Sequence, residues 1–274
     1  MKKKKRMMVK VIVALCGITL TISIMLFTPL WGSAILISFI TGLCFWELCV
    51  PTKAVRAKLP ILLGTVIAVL IPWLWVFQIQ TVALPPIALL LLTSAFLFDA
   101  CTDDPSGAEK IAYLVLAAIV FPVMFSLLLS VLAADGGKAF VLLPFTSAWS
   151  TDTGAQLFGT TLGKHKLAPK ISPNKTIEGF FGGLLFGVIG SAVYTLVLHC
   201  MHRDMPIVGM LVFGLFAAGF ASVGDLFFSY IKREYAIKDF SSLMPEHGGI
   251  MDRFDSVVFV IPLFYVFMRL ISVA

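Results

Sequence analysis

The sequence predicts an all-α polytopic membrane protein with about nine transmembrane helices and a cytoplasmic N-terminus. Three observations carry this. Hydrophobic residues make up 59% of the 274-residue chain and charged residues only 13%, against about 25% charged in a soluble domain. Apolar runs of membrane-crossing length, about 20 residues each, follow one another from end to end. The basic residues fall almost entirely on alternate loops, as the positive-inside bias requires.

The runs lie near 10–28, 31–50, 59–77, 82–100, 110–134, 139–158, 176–199, 206–230 and 255–272. Pro29, Pro51, Pro60, Pro85, Pro86 and Pro206, with nearby charges, separate them. The first follows MKKKKRMMVK, which also resembles a signal-peptide start; its length and the spans behind it favour a retained helix. In the sixth, Pro144 and the polar run Ser147 to Thr153 predict a broken helix, tolerated where it lines protein or water. With the N-terminus inside, only Lys138, Arg203 and Arg269 of the 21 lysines and arginines fall outside. Every long polar loop then faces the cytoplasm. The chain reads as one integral membrane domain over 1–274: N-terminal helices 10–100, middle helices 110–158, and a C-terminal part, 159–274, carrying the polar loops. The turn 101–109 reads as a solvated acidic cap. Cys16, Cys44, Cys49, Cys101 and Cys200 are scattered without CxxC or zinc spacing and read as small apolar residues.

Two polar islands interrupt this pattern. The first, residues 147–183, opens on Asp152, a carboxylate in or beside a membrane span and so a functional candidate. Lys164, Lys166, Lys170 and Lys175 follow, with Gly159, Gly163, Pro169 and Pro173 opposing a long regular helix. Ser172, Pro173 and Asn174 resemble a helix start with Pro in the first turn. Such a loop suits polyphosphate, although Gly163-Lys164 lacks the P-loop spacing and its Ser or Thr. The plainer reading is that these lysines set topology or meet anionic lipid headgroups. Gly179, Gly183 and Gly187 recur every four residues, a close helix-packing pattern.

The second island is Ser222 to Asp255. Ser222, Asp225 and Ser229 share one helix face, and Asp252 and Asp255 share another. With Pro206 outside, Asp225 stands roughly 28 Å along its helix, near the cytoplasmic surface. Carboxylates with open positions suit Mg²⁺, which takes one or two of them plus substrate phosphates. His247, Gly248 and Gly249 form a tight turn; without a second His or Cys at ligand spacing, His247 reads as a phosphate or hydrogen-bond contact. His199 and His202 fall on the far side as surface residues. Together these features point to phosphoryl or nucleotidyl transfer onto a lipid. The rival is a cation transporter, which would place its carboxylates at midplane between inverted repeats; neither feature is present.

Ser229 to Asp239 (S-Y-I-K-R-E-Y-A-I-K-D) and Pro245 to Asp255 (P-E-H-G-G-I-M-D-R-F-D) resemble the signature of the phosphatidate cytidylyltransferase, or CDP-diacylglycerol synthase, family. So do D-T-G-A at Asp152, G-K at Gly163, P-K-I-S-P-N-K-T at Pro169 and E-G-F-F-G-G at Glu178, in the same order. The resemblance covers Asp152 to Asp255; the N-terminal half matches only as a hydrophobic membrane region. Glu246 stands where members commonly have Gly, Gly159-Thr160-Thr161 where an aromatic-Gly-Arg run is common, and Gln156-Leu157 where Tyr-Phe is usual. The resemblance implies CTP and phosphatidate as substrates, CDP-diacylglycerol and pyrophosphate as products, Mg²⁺ as cofactor and K⁺ as a second, monovalent cation. It also implies a homodimer in the inner (plasma) membrane, a site open to cytoplasm and lipid, and no nucleic-acid partner. It assigns Asp225 and Asp252 to the metal, with Asp255 or Asp152 assisting and Lys175 in the catalytic set. Lys164, Lys170, Ser172, Lys232, Arg233, His247 and Arg253 are assigned to the substrates' phosphates. Lys238 and Asp239 either join that set or pair with each other. A CTP-dependent enzyme acting on an ether lipid or a polyprenol is the alternative within the class.

Overall fold

The computed structural model describes residues 17, 19–52, 58–101, 107–203, 205–241, 243 and 248–273, with side chains to 270. Residues 19–27 are helical and lead into α1 (Leu30–Cys49), α2 (Lys58–Val76), α3 (Gln80–Ala100) and α4 (Ala108–Leu132). Then come α5 (Leu143–Thr161), the strands β1 (Lys166–Ala168) and β2 (Ser172–Thr176), α6 (Ile177–Cys200), α7 (Ile207–Glu234), the single turn α8 (Met251–Phe254) and α9 (Val257–Val273). Among the described residues six helices are long and apolar enough to cross a membrane: α1, α2, α3, α4, α6 and α7; α9 carries a shorter apolar stretch, Val257–Leu270. The chain is a multi-pass helical membrane protein. These six coincide with predicted spans, while residues 10–16 of the first predicted span lie outside the described residues.

Two compact units divide the described chain. One comprises Met1–Lys138 with Asp239–Asp252, the other Ala139–Lys238 with Arg253–Ala274. In the first, α1 packs on α2 and α4. Thr41 Oγ1 donates to the Ala68 carbonyl at 2.8 Å, and the Tyr113 hydroxyl to the Leu48 carbonyl at 3.0 Å. These bonds satisfy hydroxyls that have no water partner in a bilayer. Phe45, Leu48, Ile71, Phe121 and Phe125 fill the core. Just ahead of Pro122, which lacks an N–H, the turn Leu116–Val120 of α4 widens to a π-helix.

In the second unit small residues bring α5, α6 and α7 close enough for backbones to touch. A Cβ on Gly179 would lie 2.8 Å from the Ala155 carbonyl, and one on Gly183 3.2 Å from Thr151. One on Gly187 would lie 2.6 Å from the Ala218 Cβ. The predicted close-packing role of this triplet is met, and the buried hydroxyls of Ser147 and Ser191 join α5 to α6 at 2.9 Å. Phe213 meets Phe264 edge-on and Phe267 at a tilt, and Phe227 and Phe228 meet Phe259 tilted and edge-on, which fixes α9 against α7.

Two local expectations are corrected. Helix α5 runs unbroken through the polar run Ser147 to Thr153, because Pro144 sits in its first turn, where no N–H partner is lost. It also passes Gly159, whose missing side chain admits Thr176 and Gly179. Ser172, Pro173 and Asn174 start no helix. They belong to β2, which pairs antiparallel with β1 in the register Lys166 to Thr176 and Ala168 to Ser172. Pro173 biases Ser172 toward extended backbone. The cap is Thr176 instead: its extended backbone ends the strand and its Oγ1 accepts the Gly179 N–H at 3.1 Å.

Candidate active site

In the second unit a carboxylate cluster forms where α7, the hairpin and the start of α9 meet. Lys175, the last residue before the Thr176 cap, reaches Asp225 of α7, with Nζ 2.6 Å from Oδ2. The Ser229 hydroxyl, one turn on, donates to Asp225 Oδ1 at 3.4 Å. Asp255, just ahead of α9, has Oδ2 3.9 Å from Lys232 Nζ and accepts the Ser256 N–H on Oδ1 at 2.8 Å. The Ser256 hydroxyl donates to Asp152 Oδ2 at 2.9 Å, which brings α5 into the same cluster. Asp152, Asp225 and Asp255 thus act on one another electrostatically, opposed by Lys175, Lys232 and Arg253. Burial, and after it the Asp225 charge, pushes the Asp255 carboxyl above the usual carboxylate range; Lys232 pulls the other way.

The hairpin is held from two sides. Glu178, in the first turn of α6, accepts the Lys164 N–H at 3.1 Å, the His165 N–H at 3.2 Å and contacts His165 Nδ1 at 2.6 Å. Arg233 donates Nε to the Ile171 carbonyl and Nη1 to the Ile237 carbonyl, each at 3.2 Å. The side chains of Lys164, Lys170 and Arg253 are exposed, Ser172 is half-buried on its strand, and Lys232 is buried. His247 lies outside the described residues.

In the first unit Asp252 faces its own loop. Its Oδ2 accepts the N–H groups of Phe240 at 3.0 Å and Gly249 at 2.9 Å. Gly248 takes φ 78°, a backbone that favours glycine, while His247 of the predicted turn lies outside the described residues. The same loop is gripped by a residue absent from the sequence-based site: Glu47 of α1, fully buried. Its Oε1 accepts the Ser241 hydroxyl at 2.6 Å and the Ile250 N–H at 2.9 Å, and its Oε2 accepts the Met251 N–H at 2.7 Å. The signal was available, since Glu47 is an acid inside an apolar run, the criterion that singled out Asp152. Ser256 was overlooked for the opposite reason: a lone serine beside an aspartate is unremarkable in sequence.

Among the described residues no group of three or more His, Cys, Asp or Glu side chains forms a complete metal cage. Magnesium at a nucleotide site needs fewer, one or two carboxylates plus the phosphates themselves. The carboxylate oxygens of Asp152, Asp225 and Asp255 are donors of the kind that ion takes.

Membrane-length helices bearing a half-buried cluster of aspartates and lysines define a class: a multi-pass membrane protein equipped to handle phosphate esters. The chain belongs to the cytidylyltransferase family, whose pattern matches residues 6–271, and it is accordingly a nucleotidyltransferase. It is 32% identical over 246 residues to a phosphatidate cytidylyltransferase of Bacillus subtilis, covering 87% of this chain and 89% of that one. Proteins of the same name from Staphylococcus epidermidis and Staphylococcus aureus are 45% and 47% identical over 127 residues, about half of each chain.

Proposed function

We propose that the chain transfers the cytidylyl group of CTP to phosphatidate, giving CDP-diacylglycerol and pyrophosphate for phospholipid biosynthesis. An oxygen of the phosphatidate phosphate bonds to the α-phosphorus of CTP, the α–β P–O bond breaks, and pyrophosphate carries away the electron pair. Both reactants are anionic, so the site must cancel repulsion and align them. The Lys175–Asp225 pair beside Asp255 and Asp152 supports this reading best. It places an ammonium group against half-buried carboxylates, in a family whose curated relatives act on phosphatidate by name.

In this reading Lys175 is the ammonium that meets the reacting phosphates. Lys164, Lys170, Lys232, Arg253, Ser172 and His247 are proposed to bind the remaining phosphate oxygens. Arg233, already bound to two carbonyls, contributes by holding the hairpin that carries Lys175. Asp225 and Asp252 are the proposed Mg²⁺ ligands, with Asp255 or Asp152 assisting and K⁺ as a second cation. When bound, the metal neutralises phosphate charge and makes the α-phosphorus more electrophilic. Nine spans, a cytoplasmic N-terminus, a site open to the cytoplasmic side of the plasma membrane and a homodimer complete the proposal. The lopsided placement of lysine and arginine supports the orientation.

The test is an assay of purified protein in lipid with CTP, phosphatidate and Mg²⁺. CDP-diacylglycerol and pyrophosphate should form in equal amounts. CDP with a phosphorylated lipid, formed from a lipid alcohol, would point to a CTP-dependent kinase instead. Labelling of single cysteines placed at Lys170 and Arg203 in sealed vesicles tests the orientation; equal labelling of both from one side overturns it.

A further inference from the structure

We infer that Glu47 is a positioning residue for the reaction: its buried carboxylate holds Ser241, Ile250 and Met251 and so sets where the Asp252 carboxylate stands. The inference rests on the proposed function for Asp252's role, and on geometry alone for the clamp. Glu47 is 0% exposed and sits on a membrane-length helix. An acid there is costly unless its oxygens are fully used. They are used, and every partner is a donor: the Ser241 hydroxyl and Ile250 N–H on Oε1, the Met251 N–H on Oε2. The acceptor-only carboxylate is matched to a set of donors that a neutral amide could not serve, because its NH₂ would face another N–H.

The loop is shaped for this one side chain. A Cβ on Gly249 would lie 2.6 Å from Glu47 Oε2, so glycine is required for the backbone to reach the carboxylate. The Gly249 N–H then turns to Asp252 Oδ2 at 2.9 Å, and the Phe240 N–H meets the same oxygen at 3.0 Å. Consecutive amides are thereby shared out: Gly249 serves Asp252, while Ile250 and Met251 serve Glu47. Removing the Glu47 acceptors frees the two amides immediately before Asp252. Glu47 touches no substrate in this account; it acts through Asp252.

The experiment compares the full-length protein with Glu47→Gln, Glu47→Asp and Ser241→Ala, reading turnover and backbone hydrogen exchange on the same preparations. For Glu47→Gln the expected result is a fall in kcat of about tenfold or more, from freed buried donors, with KM for CTP changed less than about twofold. Exchange should rise at Ile250 and Met251 while α1, α2 and α4 stay protected. Glu47→Asp, which keeps the carboxylate but shortens its reach, should recover part of kcat. Ser241→Ala, which removes one donor to Glu47 and leaves the exposed Leu243 N–H to water, should change kcat least. Unchanged exchange at Ile250 and Met251 in Glu47→Gln overturns the clamp. Exchange raised throughout α1, α2 and α4, with activity lost only in proportion to folded protein, makes Glu47 merely structural and also overturns it. If the wild-type protein makes no CDP-diacylglycerol, the functional reading fails, and the exchange comparison by itself decides the clamp.

Discussion

Replacing Lys175 with Met keeps the apolar stem and removes only the ammonium. In the native protein that ammonium lies 2.6 Å from Asp225, with the Lys175 and Asp225 side chains 24% and 31% exposed. Among the described residues Asp225 would then keep the Ser229 hydroxyl, at 3.4 Å. A charge-assisted hydrogen bond contributes about 1.5–3 kcal/mol. Water reaching a quarter to a third of each side chain lowers that to about 1–2 kcal/mol. As a change in the folding equilibrium this is roughly 5- to 30-fold, a drop of a few degrees in Tm. If Lys175 also meets charge that develops as pyrophosphate leaves, kcat/KM must fall as well, beyond about 100-fold. Paired measurements of CDP-diacylglycerol formation and thermal unfolding in one detergent separate the two contributions. Wild-type kcat/KM in Lys175→Met, or a loss no larger than the loss of folded protein, would refute the catalytic role.

Other expectations follow from the same geometry. Asp252→Asn keeps an oxygen for the Phe240 and Gly249 amides, so the protein should extract and unfold like wild type yet lose turnover; retained turnover removes Asp252 from the site. Gly187→Ala forces a methyl to within 2.6 Å of the Ala218 Cβ and should cost about 1–3 kcal/mol by overpacking. Gly219→Ala, with nothing within 4 Å, should be neutral or mildly stabilising, and equal Tm values for the two variants would contradict the packing account. Asp255 has a raised folded-state pKa, so its contribution to stability is complete below the ordinary carboxylate value near 4 and is lost as pH rises through the raised one. Metal-free protein should therefore lose Tm on going from acidic to alkaline pH, and Asp255→Asn should flatten that slope; parallel curves for variant and wild type would exclude Asp255 as the source.

Membrane-length helices were legible because hydrophobic length alone decides whether a segment spans. The six candidates fall within a few residues of the predicted runs. The acids at 152, 225 and 255 were legible because charge in such a segment demands a reason, and the structure brings them together. The hairpin was hidden by competing local signals. Ser172-Pro173 and Thr176 can each begin a helix, and pairing of Lys166 with Thr176, a nonlocal contact, selects the second. The charge of Arg233 is visible in sequence, whereas the Ile171 and Ile237 carbonyls it binds are not. Glu47 lies about 200 residues from its partners; no local pattern spans that distance.

That separation also bears on how the protein is made. The ribosome emits Glu47 long before Ser241, Ile250 and Met251, which stand 194, 203 and 204 residues further on. At about 5–20 residues per second, synthesis leaves the acid without these donors for roughly 10–40 s. During that interval the Glu47 carboxylate of α1 lacks these three donors, which favours its neutral form or a position near interfacial water. Arrival of Ser241, Ile250 and Met251 ends that interval and gives the carboxylate the three donors that make its burial tolerable.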